Sequence, residues 1–96
     1  MFVLGRLTST PGALEVLIGN GIHPLTLVER HSKGDWGDVS EHDRLANERA
    51  LSDGGRIWSV YKLPSGEKLW IITEAESEEN DPRSRLSTCI LLPGEY

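Results

Sequence analysis

Cysteine is all but missing from this chain: Cys89 is the only one among 96 residues. No disulfide can form within the chain, and a reducing compartment is favoured. Long apolar runs are missing too; none approaches the roughly 18 residues of a membrane span. The opening Met1-Phe2-Val3-Leu4-Gly5-Arg6 has no basic stretch followed by an apolar core, so no signal peptide is expected and a cytoplasmic setting follows. Positive charge is scarce. Ten Lys and Arg stand against fifteen Asp and Glu, a formal net charge of −5. That balance argues against direct nucleic-acid binding, in which cations neutralise phosphates. It suits docking on a basic surface of a partner protein.

Specific chemical motifs are absent as well. His23, His31 and His42 have no ligand partner at short spacing and lie far in sequence from Cys89, whereas zinc needs about four ligands in a tetrahedron. Asp35 and Asp38 lack the rest of a calcium loop. Neither a phosphate-binding glycine loop, nor a dinucleotide fingerprint, nor a hydrolase elbow occurs. No metal and no cofactor is expected, and the reading is of a non-enzymatic protein.

What is present describes a globular domain. Apolar residues make up 38% and charged residues 26%, and the length suits one core, so residues 1–96 are read as a single domain. Phe2 to Thr8 has strand character, with Phe2, Leu4 and Leu7 as its apolar contacts. Thr10-Pro11 is a helix entry, with a hydroxyl cap before a proline whose missing N–H is not needed. Leu14, Leu17 and Ile18 share one face of that helix, and Gly19-Asn20-Gly21 stops it. A second helix begins near Pro24, with Leu25, Leu27 and Val28 apolar, and ends by Gly34. Gly34-Asp35-Trp36-Gly37-Asp38 makes a tight turn that Trp36 pins to the core. Ser40 and Asp43 have capping-box spacing, and a third helix runs to about Ser52 before Gly54-Gly55. Leu45, Ala46, Ala50 and Leu51 line its apolar side.

The remainder reads as strands. Arg56 to Leu63 and Glu67 to Glu74 form a hairpin across Pro64-Ser65-Gly66. Ser84 to Leu92 supplies a last strand, with Cys89 a buried thiol. The order β-α-α-α-β-β-β implies an α+β fold: an antiparallel sheet with helices packed on one face. Alternation puts Ile57, Ser59, Tyr61 and Leu63 on one face and Arg56, Trp58, Val60 and Lys62 on the other. Trp58 and Trp70 are then expected to pair across the hairpin, away from the helices. Five acids, Glu74, Glu76, Glu78, Glu79 and Asp81, fall within eight residues, as a solvated loop or a docking patch for a basic protein.

Function has three readings at this level, the plainest being a structural module that pairs with itself. Metal-independent RNA cleavage needs a base, an acid and a cation at the phosphorane-like transition state. His31, Arg56, Ser59, Tyr61, Arg85 and Thr88 could supply them, and the element order looks like that of small toxin nucleases of the barnase and RelE-like group. The leading reading is protein binding through His31, Asp35, Trp36, Asn47, Glu74, Glu76, Glu78, Glu79 and Asp81.

That reading leans on a resemblance. The chain contains Thr10-Pro11-Gly12-Ala13-Leu14, Arg30-His31 with Gly34-Asp35-Trp36-Gly37, and Asp43 with Asn47, Ala50 and Leu51. Gly55-Arg56 with Ser59 and Tyr61 follows, then Trp70-Ile71-Ile72-Thr73-Glu74-Ala75, Leu91-Leu92-Pro93 and Glu95-Tyr96. In this combination it resembles a family of small proteins carried on plasmids, prophages and integrative elements, some named plasmid-related proteins or type I restriction subunits. The family passes almost directly from Thr-Glu-Ala to Asp-Arg-Ser and a Thr-Thr pair. Here Glu76 to Pro82 lengthens that loop, and the pair reads Thr88-Cys89, so a site using the second threonine would be altered. The resemblance implies a mobile-element accessory protein that blocks a basic host defence complex, in the manner of anti-CRISPR proteins.

Overall fold

The computed structural model describes residues 2, 4–75, 85 and 87–96. Strand β1 (Arg6–Ser9) is followed by helices α1 (Pro11–Gly19), α2 (Pro24–Ser32) and α3 (Glu41–Asp53). Strands β2 (Ile57–Lys62), β3 (Lys68–Thr73) and β4 (Ser87–Leu91) come next, and a single 3-10 turn covers Pro93–Glu95. This is the expected α+β order.

Local chemistry sets the helix starts. The Thr10 hydroxyl accepts the Ala13 N–H at 3.1 Å ahead of Pro11, and His23 Nδ1 accepts the Leu25 N–H at 3.1 Å ahead of Pro24. Ser40 Oγ accepts the Asp43 N–H at 3.1 Å and donates to the Asp43 carboxylate at 2.9 Å. The aspartate arm thus meets the cap hydroxyl rather than the cap backbone that a longer glutamate would reach. Gly54, at φ 82°, closes α3 in the left-handed conformation glycine favours.

The sheet order is β1-β4-β3-β2, and its pairing corrects one expectation. The β2–β3 and β3–β4 pairs are antiparallel, but β1 runs parallel to β4, with Leu7 opposite Thr88 and Ser9 opposite Ile90. The sheet is mixed because the amino-terminal strand lies beside the last strand rather than beside its neighbour in sequence. Composition of a four-residue strand carries no information on direction.

Among the described residues, helices cover one face only. Ala13 and Leu17 of α1 and Leu27 and Val28 of α2 pack on Tyr61, Leu63, Leu69, Ile71 and Ile90. Trp36, Ala50 and Ile57 form a second cluster, joined by Phe2 and Val39. The buried stripes differ from those expected. Leu14 and Ile18 of α1, Leu25 of α2, and Leu45, Ala46 and Leu51 of α3 are exposed, while Ala13 and Leu17, four apart, carry α1, and Asn47 and Ala50 carry α3. In each helix the side chains small or well placed enough to approach the sheet won over the bulkiest ones. His31, one turn beyond Leu27 and Val28, completes the α2 stripe.

The free edge of β2 is closed by two devices. The Trp36 carbonyl accepts the Val60 N–H at 3.0 Å and the Asp38 N–H donates to the Val60 carbonyl at 2.6 Å, an isolated parallel bridge centred on Gly37. Two residues earlier, the Asn47 carboxamide donates to the Trp58 carbonyl at 2.7 Å and accepts the Trp58 N–H at 3.0 Å. Such coverage removes a template for unwanted strand pairing.

Candidate functional site

Beneath the helices lies a chain of polar side chains with no access to water. His31 is 0% exposed. Its Nδ1 lies 2.5 Å from Ser59 Oγ and its Nε2 lies 2.9 Å from Thr73 Oγ1. Thr73 Oγ1 is 2.7 Å from Thr88 Oγ1, which donates to the Leu4 carbonyl at 2.7 Å. One hydroxyl carries one proton, so the direction of the chain is fixed from its far end. The Leu4 carbonyl takes the Thr88 proton; Thr88 must then accept from Thr73, and Thr73 from His31. The imidazole is therefore the Nε2–H tautomer, and Ser59 donates to Nδ1. Burial pulls the His31 pKa down from 6.5 to about 4, which keeps the ring neutral and Nδ1 free to accept. Phe2 and Trp36 pack against the ring, with centroids 5.2 and 5.9 Å away.

Of the six residues named for RNA cleavage, His31, Ser59 and Thr88 do converge, joined by Thr73. Their polar atoms are spent on one another and present no surface to a phosphodiester. Tyr61 is buried, donating to the Asp35 carbonyl at 2.7 Å. Burial pushes its phenol up to about 12, against the opposing pull of the Arg30 charge. Arg85 is buried too, and its guanidinium donates to the carbonyls of Gly55 at 2.7 Å, Ala50 at 2.9 Å and Glu74 at 3.1 Å. It ties the end of α3 to the end of β3, a cation at a negative helix terminus. Arg56 alone is on the outer face of the sheet.

The residues named for partner binding divide similarly. Asp35 is exposed, held by Arg30 Nε at 2.7 Å and by the Gly37 N–H at 3.2 Å. The Arg30 hydrogen bond holds its carboxyl below the ordinary range, and the Gly37 N–H adds to the effect. Arg30 in turn lies over the Tyr61 ring, 4.7 Å from its centroid. Asp35 therefore organises the turn, and Trp36 is buried beneath it, pinning it to the core as expected. Asn47 is spent on the β2 edge. Glu74 is exposed and lies 3.4 Å from Arg56. Glu76, Glu78, Glu79 and Asp81 lie outside the described residues. Among the described residues no group of three or more His, Cys, Asp or Glu side chains could hold a metal ion, and no helix is long and apolar enough to cross a membrane.

The face of the sheet opposite the described helices offers a different surface. Trp58 and Trp70 do pair across the hairpin there, on diagonal positions, with centroids 5.0 Å apart and planes at 79°. Tyr96 packs its ring edge-on against Trp70 at 6.0 Å. The Arg56 guanidinium lies over the Tyr96 ring, 5.5 Å from its centroid, and donates to its hydroxyl. With Ile72 these side chains line a cleft of about 220 Å³. The indole nitrogen of Trp58 is buried with no hydrogen-bond partner, the one such side-chain atom among the described residues. Cys89, expected to be buried, is only half-buried on this same face, because its register opposite Ile72 points it away from the helices. Alternation had already put Arg56 and Trp58 on this face. Nothing in the local sequence placed Tyr96 beside Trp70, since their contact comes from the return of the chain after β4.

Comparison with protein-family models, with curated proteins and with solved structures gave no match to this chain.

Proposed function

We propose that this chain is a non-catalytic protein-binding module that docks through the outer face of its sheet. The observation that carries the reading is the cluster of Trp58, Trp70, Tyr96 and Arg56 around a cleft on the face opposite the described helices. Trp, Tyr and Arg are the residues in which binding energy at protein interfaces concentrates. A supporting observation is that the residues best suited to acid–base chemistry, His31, Ser59, Thr73 and Thr88, are consumed in an internal hydrogen-bonded chain. The resemblance to accessory proteins of plasmids, prophages and integrative elements supplies the setting: the partner would be a host defence complex that handles nucleic acid, inhibited by contact.

The test is retention of purified host defence complexes on the immobilised chain at moderate salt, with Trp70→Ala alongside. Retention by the natural chain and its loss in the variant are expected. Equal retention by both, or none by either, overturns the proposal.

A further inference from the structure

Among the described residues, the outer face of the sheet and the chain as a whole carry opposite signs of charge. The chain totals −5, which pointed to a basic partner. Yet the strand register places Arg6, level with Ser87, and Lys62, level with Lys68, on the outer face of the sheet. Arg56 lines the cleft itself. Among the described strand and flanking residues on that face, Glu74 is the one acid, 3.4 Å from Arg56; Asp38, from the turn before α3, comes within 3.9 Å of Lys68. Arg56 thus lines the apolar cleft, and Arg6, Lys62 and Lys68 share its face of the sheet.

Resting on the protein-binding reading above, we infer that the cleft receives one aromatic or large aliphatic side chain from an acidic segment of a partner protein, and that its entry turns the Trp58 ring so that an oxygen of that segment accepts the indole N–H. Three observations support this choice of occupant. The Trp58 nitrogen is a buried donor without an acceptor, a rare state that a bound acceptor would relieve. The cleft, at about 220 Å³, falls below the range of about 300–1,000 Å³ usual for small-molecule pockets, a scale that suits one inserted side chain. The cations on this face, Arg56 at the cleft with Arg6, Lys62 and Lys68 further out, complement carboxylates flanking that side chain. Single-stranded nucleic acid fits less well. Trp58 and Trp70 meet edge to face at 79° and are half-buried, so they offer no open platform of the kind on which successive bases stack.

The experiment is a titration of the ¹⁵N-labelled chain, read at its tryptophan indole resonances, with Trp58 assigned by its loss in Trp58→Phe. The probes are a peptide Asp-Glu-Phe-Glu-Asp, its counterpart Lys-Lys-Phe-Lys-Lys, and a uridine 12-mer. The acidic peptide is expected to move the Trp58 indole resonance downfield and to saturate. Lys62→Glu with Lys68→Glu, which leaves the cleft intact, is expected to weaken it severalfold, and Arg56→Glu about tenfold. If the basic peptide alone produces the shift, the charge assignment falls and the protein-binding reading stands. If the uridine 12-mer alone produces it, both fall. No shift with any probe overturns the inference.

Discussion

The side chain of Asn47 pairs with the backbone of Trp58 as a neighbouring strand would, donating at 2.7 Å and accepting at 3.0 Å. One helical residue thereby extends the sheet by a single rung and seats α3 against β2. Asn47→Ala would leave a donor and an acceptor of Trp58 unmatched. The expected cost is about 2 kcal/mol, read as a lower urea midpoint. Asn47→Asp should cost at least as much, because its carboxylate would face the Trp58 carbonyl. Opening the edge should also raise aggregation in both variants, measured by light scattering. Unchanged midpoints would show that water replaces the amide without loss.

Acid should weaken the fold before most carboxylates titrate. Burial lowers the His31 pKa from 6.5 to about 4, so between those values the unfolded chain binds a proton that the folded chain refuses. Stability from this group is fully present above 6.5 and is lost progressively as pH falls toward about 4. The shift corresponds to roughly 3 kcal/mol across the window. Urea midpoints measured at several pH values through that window should fall as pH drops. Imidazole ¹⁵N shifts should report the Nε2–H tautomer at neutral pH. An Nδ1–H tautomer would reverse the direction assigned to the whole hydroxyl chain.

Two glycines with positive φ should respond differently to alanine. Gly37 has φ 72°, and a Cβ there would sit 2.1 Å from the Val60 carbonyl oxygen and 2.8 Å from Tyr61 Cδ1. Gly66 has φ 92° and open space around it. Gly66→Ala is expected to cost only the backbone term of roughly 1 kcal/mol. Gly37→Ala adds the loss of the bridge to Val60, about 3 kcal/mol or more in all. Thermal melts of the two variants test the order; equal losses would mean that the bridge contributes little.

Arg85 should not tolerate lysine. Its planar fork reaches the carbonyls of Gly55, Ala50 and Glu74 together, and an ammonium cannot reproduce that geometry. Arg85→Lys is expected to cost roughly 2 kcal/mol, with amide exchange accelerating most at the end of α3. Uniform acceleration along the chain would show that Arg85 acts on the whole fold rather than on this junction.

Much of the architecture was legible in local sequence. Thr10-Pro11, Ser40 and Gly54 mark helix ends through groups that act on their own backbone neighbours, and Pro64-Ser65-Gly66 marks the hairpin. Alternation placed Ser59 and Tyr61 under the helices and Trp58 outside, because successive strand side chains point to opposite faces. The helix faces were less legible. Hydrophobicity favoured Leu14, Ile18 and Leu51, whereas the space against the sheet selected Ala13, Asn47 and Ala50.

The sequence by itself determined the order of elements, the ends of the helices and the two faces of the hairpin, since each depends on contacts only a few residues apart. Only the tertiary structure decided that β1 lies parallel to β4, that His31, Ser59, Thr73 and Thr88 join in one hydrogen-bonded chain, and that Tyr96 meets Trp70. Those depend on chain segments tens of residues apart meeting at hydrogen-bond distance or in ring contact. A hydroxyl, an imidazole or an indole reads the same in sequence whether it is spent inside the fold or left facing a partner. Burial and distance settle which, and they turned a suspected catalytic cluster into a structural one and an aromatic pair expected across the hairpin into the docking surface proposed above.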